Sequence, residues 1–241
     1  MCHCVAVVLA AGRGKRMGSH VAKQFLEIAG KPVLYYSLKQ LEESFVDEVV
    51  LVARESDVSF CRREIIEKYD FKKVSAVVAG GKERYHSVYN ALCAIGRCNY
   101  VFIHDGARPF INEDIIRRNY EMVCKYNACV TGMPVKDTIK VSDNNGFVKE
   151  TPRRESIWQI QTPQTFSYSI IKEAYDKLMK DEDRNVQRFQ VTDYAMVAEI
   201  FGGVSVKLVE GDYRNIKITT PEDMAVAEAI WQTIRTEMPT N

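Results

Sequence analysis

Charge of one sign is missing from this 241-residue sequence: 33 Lys and Arg stand against 32 Asp and Glu, a formal net charge of +1. Without a basic excess there is no overall field to hold nucleic acid or an anionic membrane surface. Long apolar runs are missing too. None approaches the roughly 18 residues that a membrane-spanning helix needs. Cysteine is present but not in a pairing pattern. Cys2, Cys4, Cys61, Cys93, Cys98, Cys124 and Cys129 make an odd set of 7, with no C-x-x-C spacing and no secretory leader ahead of them. Cys2-His3-Cys4 resembles half a metal site, yet no second ligand pair stands at zinc spacing. A reducing cytoplasm is the expected setting. There is also no Ser-His-Asp or Cys-His set for nucleophilic catalysis.

Two common phosphate loops are absent as well. A dinucleotide fingerprint needs G-x-G-x-x-G and an acidic residue about 20 positions on. Here Gly12 and Gly14 are followed by Arg16-Met17, Gly18 comes one place late, and the second apolar run ends in Arg54. That argues against a nicotinamide-dependent oxidoreductase. No G-x-x-x-x-G-K-[ST] spacing exists either, because Gly14-Lys15 is followed by Arg16.

What stands in their place is the stretch Val5-Ala6-Val7-Val8-Leu9-Ala10-Ala11-Gly12-Arg13-Gly14-Lys15-Arg16-Met17-Gly18, closed by Ala22-Lys23-Gln24. An unbroken apolar run reads as a strand buried on both faces of a parallel sheet. Small residues then let backbone approach a ligand, and successive N–H groups in such a loop form an anion site. Arg13, Lys15, Arg16 and Lys23 add full positive charge. The sequence thus predicts a polyphosphate cradle at the carboxyl end of the first strand.

Further along, strands at 48–53, 74–79 and 100–103 alternate with helices opening near Pro32, Val58 and Arg84. Asn112 is a predicted N-cap, with Glu113 and Asp114 in the first turn. The pattern predicts one α/β domain over residues 1–241, a doubly wound, mostly parallel sheet. Residues 136–160 break the rhythm. They read as a projecting β-arm, polar and short of apolar residues, turning at Asp143-Asn144-Asn145-Gly146. A strand over 204–209 and a helix starting at Thr220-Pro221-Glu222-Asp223 follow.

Two more strand ends carry chemistry. Gly80-Gly81, with Arg84 and Ser87 beyond, lets backbone approach a flat ligand such as a base. Asp105 lies just past the strand at 100–103 and is placed either to hold Mg²⁺ or to cap a turn. His104 beside it reads as a buried strand residue rather than a base.

The opening loop resembles the signature of sugar-phosphate nucleotidyltransferases, Leu-Ala-Ala-Gly-x-Gly-x-Arg-Met followed by a Lys. The later motifs narrow this. Gly80-Gly81-x-x-Arg84-x-x-Ser87-Val88, His104-Asp105-Gly106-Ala107-Arg108-Pro109, Pro134-Val135-x-Asp137-Thr138-Ile139-Lys140, Thr162-Pro163-Gln164, Thr192-Asp193 and Asn215-Ile216-Lys217-x-Thr219-x-Pro221-Glu222-Asp223 occur in that order. Over nearly the whole chain they are similar to the 2-C-methyl-D-erythritol 4-phosphate cytidylyltransferases of non-mevalonate isoprene biosynthesis, a family with a Rossmann-like nucleotidyltransferase fold.

The resemblance implies roles. Ala10, Ala11, Gly12, Gly14 and Gly81, with Ser87 and Asp105, would bind CTP. Arg16, Lys23 and Lys217 would contact phosphates and carry catalysis. Asp105 would hold Mg²⁺ or another divalent cation. Asp105, Arg108, Thr138, Arg154 and Thr192 would bind methylerythritol phosphate, with Thr138 and Arg154 supplied by the arm of a homodimer partner. Three departures are visible: Ala22 and Leu9 where the family or some members have Pro, and Lys82 where some carry an acid. Ribitol 5-phosphate cytidylyltransferase is the alternative within the same fold. CTP binding without pyrophosphate release would instead mark a regulator. The chemistry is self-consistent: a phosphate monoester is already a nucleophile, so the site must align it and neutralise charge, which Lys, Arg and Mg²⁺ do.

Overall fold

The apolar run near the amino end forms strand β1 (Cys4–Leu9), and every side chain in it is buried or nearly so. It sits inside a seven-stranded sheet. The structure is a computed structural model and describes residues 2–12, 14, 21–180, 182, 184, 189 and 191–237. After β1 come a small hairpin, β2 (Glu27–Ile28) and β3 (Lys31–Pro32), then α1 (Val33–Glu43), β4 (Glu48–Ala53) and α2 (Val58–Phe60), which runs on as a wider helical turn over Cys61–Glu67. Next are β5 (Val74–Ala79), α3 (Arg84–Ala94), β6 (Tyr100–Asp105), α4 (Glu113–Tyr126) and β7 (Ala128–Pro134). The arm holds β8 (Val141–Ser142) and β9 (Val148–Glu150), and the chain closes with β10 (Trp158–Ser167), α5 (Tyr168–Lys180), α6 (Tyr194–Gly202), β11 (Lys207–Glu210) and α7 (Glu222–Glu237).

The sheet order is β11-β7-β10-β6-β1-β4-β5. Only β10 runs against its neighbours, antiparallel to both β6 and β7. The predicted doubly wound, mostly parallel sheet is therefore what forms. Strand alternation feeds two cores. Val5, Val7, Val50, Val52, Val101 and Ile103 face α3, α5 and α6 on one side. Ala6, Val8, Val49, Leu51 and Phe102 face α1 and α4 on the other. β1 lies between β4 and β6, where the strand order reverses, and open α/β sheets bind ligands at that point beyond their carboxyl ends.

Local signals behave as their chemistry requires. The Asn112 side chain accepts from the Ile115 N–H and starts α4. Asp223 Oδ2 accepts from the backbone of Thr219 and Thr220 and starts α7. The seven cysteines are all free thiols, and burial raises Cys4, Cys61, Cys98 and Cys129 to about 12. His3 pairs with Glu48 at 2.9 Å.

One expectation needs correcting. The strand predicted from Val204 begins only at Lys207, because ladder pairing with β7 runs from Lys207↔Cys129 to Glu210↔Gly132. The arm does turn at Asp143, whose Oδ1 accepts from the N–H groups of Asn145 and Phe147, with Gly146 at φ +85°. As expected, it makes no core of its own. Ile139, Val141, Phe147 and Val148 all stand exposed, Phe147 at 72%. Among the described residues nothing covers them.

Candidate active site

A cleft of about 1110 Å³ opens over the carboxyl ends of β1, β4, β5 and β6. Its floor is backbone. Ala10, Ala11, Gly12 and Gly14 line it from the first loop, and Gly80, Gly81 and Ser87 from beyond β5. The β1 loop is held from below by Gln24, whose Nε2 donates to Ala10 O at 2.5 Å. Gly14 has φ +58°, a conformation that favours glycine. Gly80 and Gly81 are glycines for lack of room. A Cβ on Gly80 would lie 2.7 Å from the Ala11 side chain, and one on Gly81 would collide with His86. Ser87 Oγ accepts from the Gly81 N–H at 3.1 Å, so the strip is pinned flat where a ligand can approach. Arg13 and Lys15, and with them the predicted catalytic Arg16, lie outside the described residues.

The cleft narrows to a charged end built on Asp105. Its Oδ1 accepts from Arg84 Nη2 at 2.6 Å and from the Tyr194 hydroxyl at 3.1 Å. Its Oδ2 pairs with Lys217 Nζ at 2.7 Å. Burial alone would raise the Asp105 pKa, but Arg84, Lys217 and Arg108 outweigh burial and hold the carboxyl well below its usual range. Lys217 is pushed down, first by burial and then by Arg84 and Arg108, with Asp105 opposing. Lys23 joins from the first loop: its Nζ donates to Ile218 O at 2.7 Å, next to Lys217. Cations thus outnumber the carboxylate at this end, and the surplus suits a polyanion.

Behind Asp105 lies a neutral relay. The Asp105 N–H donates to Thr162 Oγ1 at 3.0 Å, and that hydroxyl meets His104 Nδ1 at 3.1 Å. His104 Nε2 faces Arg108 O at 3.2 Å. A neutral ring protonated at Nε2 satisfies all of these contacts, and burial pushes the His104 pKa down to about 4. His104 is a buried strand residue, as its position predicts.

The other predicted site residues are placed less directly. Arg108 is only 8% exposed, with Nη1 donating to Asn215 O at 2.7 Å and Nη2 to Ile160 O at 3.3 Å. It braces the segment carrying Lys217 from beneath. Thr138 and Arg154 stand exposed on the arm, and Arg154 Nη1 reaches only Lys136 O at 3.2 Å. Thr192 is exposed, its Oγ1 3.1 Å from Met196 Sδ. Within one chain none of these three lines the cleft. Conversely, the structure brings in groups that sequence reading passed over. Arg84 was visible as part of a motif. Tyr194 carried no signal, being an aromatic at the start of an apolar helix.

Comparison with known proteins adds a name to this geometry. The family model described as IspD, 2-C-methyl-D-erythritol 4-phosphate cytidylyltransferase, matches residues 4–233. A protein of that name from Lachnoclostridium phytofermentans is 48% identical over 225 residues, covering 93% of this chain and 94% of that protein. Another of that name from Lachnospira eligens is 50% identical over 223 residues, covering 92% of this chain and 96% of the other. Among solved structures, the 4-diphosphocytidyl-2C-methyl-D-erythritol synthase from Anaerococcus prevotii superposes with a TM-score of 0.82 at 34% identity, covering 96% of each chain.

Proposed function

The chain belongs to the 2-C-methyl-D-erythritol 4-phosphate cytidylyltransferase family, and from that premise we propose that it transfers the cytidylyl group of CTP to 2-C-methyl-D-erythritol 4-phosphate, releasing pyrophosphate. The observation that carries the proposal is the union of a glycine-floored cleft with a cation-rich end around Asp105. The base lies on the strip formed by Ala11, Gly81 and Ser87. The triphosphate runs past Gly12 and Gly14 toward Lys23 and Lys217. The phosphate of the acceptor attacks the α-phosphorus in line and needs no general base. Lys23, Lys217 and Arg16 neutralise charge that grows on the transferring and leaving phosphates.

The donor set fits a metal that arrives with phosphate ligands, not a cage built by the protein. Among the described residues no three His, Cys, Asp or Glu side chains gather at metal-binding distance. Asp105 would hold Mg²⁺ or another divalent cation while Lys217 stays beside it, and the metal would offset triphosphate charge. The chain works as a homodimer through the arm, with Thr138 and Arg154 completing the partner's site. Among the described residues no helix is long and apolar enough to cross a bilayer.

A pyrophosphate-release assay crossing four nucleotides with two polyol phosphates tests the substrate assignment. CTP with methylerythritol phosphate should turn over fastest. Equal or faster turnover with ribitol 5-phosphate would overturn the choice of acceptor, and nucleotide binding with no pyrophosphate release would overturn the enzyme.

A further inference from the structure

Tyr194 is the first residue of α6 and is 1% exposed. Its hydroxyl accepts from Arg84 Nε at 2.6 Å and donates to Asp105 Oδ1 at 3.1 Å. The Arg84 guanidinium also lies over the Tyr194 ring, 4.5 Å from its centroid. Since Arg84 Nη2 bonds the same Asp105 oxygen at 2.6 Å, the three side chains close a triangle. Lys217 is attached to its remaining corner, through Asp105 Oδ2.

The triangle needs a fixed base, and the backbone of α6 provides it. The Asp193 side chain caps the helix by accepting from the Met196 N–H. Buried Gln164 of β10 grips both sides of Tyr194, donating to Asp193 Oδ2 at 3.2 Å and accepting from the Ala195 N–H at 2.8 Å. Arg84, in contrast, enters from the first residue of α3 on a long, part-exposed side chain with many rotamers. Tyr194 does not line the cleft, so it touches no ligand there. It can act only through the groups it holds.

We propose that Tyr194 is a positioning residue for cytidylyl transfer: it locks Arg84 onto Asp105, and Asp105 in turn presents the Lys217 ammonium to the phosphates. The assignment rests on the cytidylyltransferase reading. It explains why a phenol stands here. A phenylalanine could keep the ring under the guanidinium, but it would leave Arg84 Nε without its partner and remove one donor from Asp105. The carboxylate would then be free to turn, and Lys217 would lose its aim without losing its charge. Small misplacements of a phosphate-binding group are felt in the chemical step.

The test is steady-state pyrophosphate release from CTP and methylerythritol phosphate by the full-length enzyme, with thermal melts alongside. Tyr194→Phe should lower kcat about tenfold and leave KM for CTP within twofold. In a Lys217→Ala background the same substitution should cost nothing further, because its target is gone. A general loss of packing would instead cost the same in both backgrounds. Arg84→Lys keeps the charge but cannot fill both the Nε and Nη2 contacts. It should reproduce the defect, and the double variant with Tyr194→Phe should be no worse than either alone. Wild-type kcat in both single variants, or full additivity with Lys217→Ala, would overturn the assignment. A silent wild-type enzyme would sink the underlying activity and not this positioning role.

Discussion

Asp105 and the cations on it set what single substitutions should do. Lys23→Ala removes a charge beside the reacting phosphates, so kcat should fall about 10²–10³-fold, roughly 3–4 kcal/mol. The melting temperature should change little, because the Lys23 side chain, bonded to the Ile218 carbonyl, adds little apolar core; activity within threefold of wild type would remove it from the mechanism. Asp105→Asn separates two roles for the carboxylate. If Asp105 holds the metal, turnover collapses and the Mg²⁺ concentration for half activity rises. An unchanged Mg²⁺ dependence at the lowered rate would leave it only the task of orienting Arg84 and Lys217. His104 governs acid stability. Its pKa lies near 4 in the folded chain against 6.5 for an ordinary histidine. Between those values the unfolded chain binds a proton that the native chain refuses, so stability falls as pH drops through that window. The loss is on the order of 3 kcal/mol in total. Urea titrations at the two ends of the window should show it, and His104→Gln should abolish that component; an equal slope in the variant would assign it to other groups.

At the level of elements, the sequence is readable wherever a residue's role is local. Val5–Leu9 is apolar at every position and must be a doubly buried strand. Asn112 and Asp223 cap helices by bonds spanning three or four residues. Gly81 is glycine because His86, five residues on, leaves no space for a Cβ, whereas the Ala11 side chain that crowds Gly80 comes from the β1 loop. Tyr194 and Arg108 are opaque for the opposite reason. Tyr194 meets Arg84 across 110 residues of chain, and Arg108 meets Asn215 across 107, so only the assembled sheet reveals them. The arm's want of a core is legible in its composition, but not that Phe147 and Val148 stand 72% and 62% exposed on the β8–β9 hairpin. Two short strands with no covering element are marginal alone. Apolar side chains left bare on such a hairpin point to burial against another copy. Phe147→Asp should therefore weaken self-association by at least tenfold in sedimentation equilibrium. Unchanged association at the lowest measurable concentration would place the dimer contact elsewhere.

For the whole molecule, the question is whether one chain contains a complete site. The cleft offers a glycine-floored strip from the loops after β1 and β5, with Lys23 and Lys217 at its charged end. Arg154 and Thr138 lie on the arm, outside that cleft, and among the described residues Arg154 bonds a backbone carbonyl, Lys136 O. Its guanidinium is suited to grip a phosphate in a fixed geometry that a Lys would not reproduce. Two-fold dimers place the same surfaces of two copies in reciprocal contact, so an arm that reaches one neighbour's cleft receives that neighbour's arm in return. We predict that each site joins the core of one subunit to the arm of the other. Lys23→Ala and Arg154→Ala should each give a nearly inactive enzyme. When the two are refolded together, half the dimers are hybrids. Each hybrid has one site carrying both defects and one carrying neither. About a quarter of wild-type activity should therefore return. A mixture that stays as inactive as its parents, with subunit exchange verified by mass-tagged chains, would mean that the arm completes the site of its own subunit.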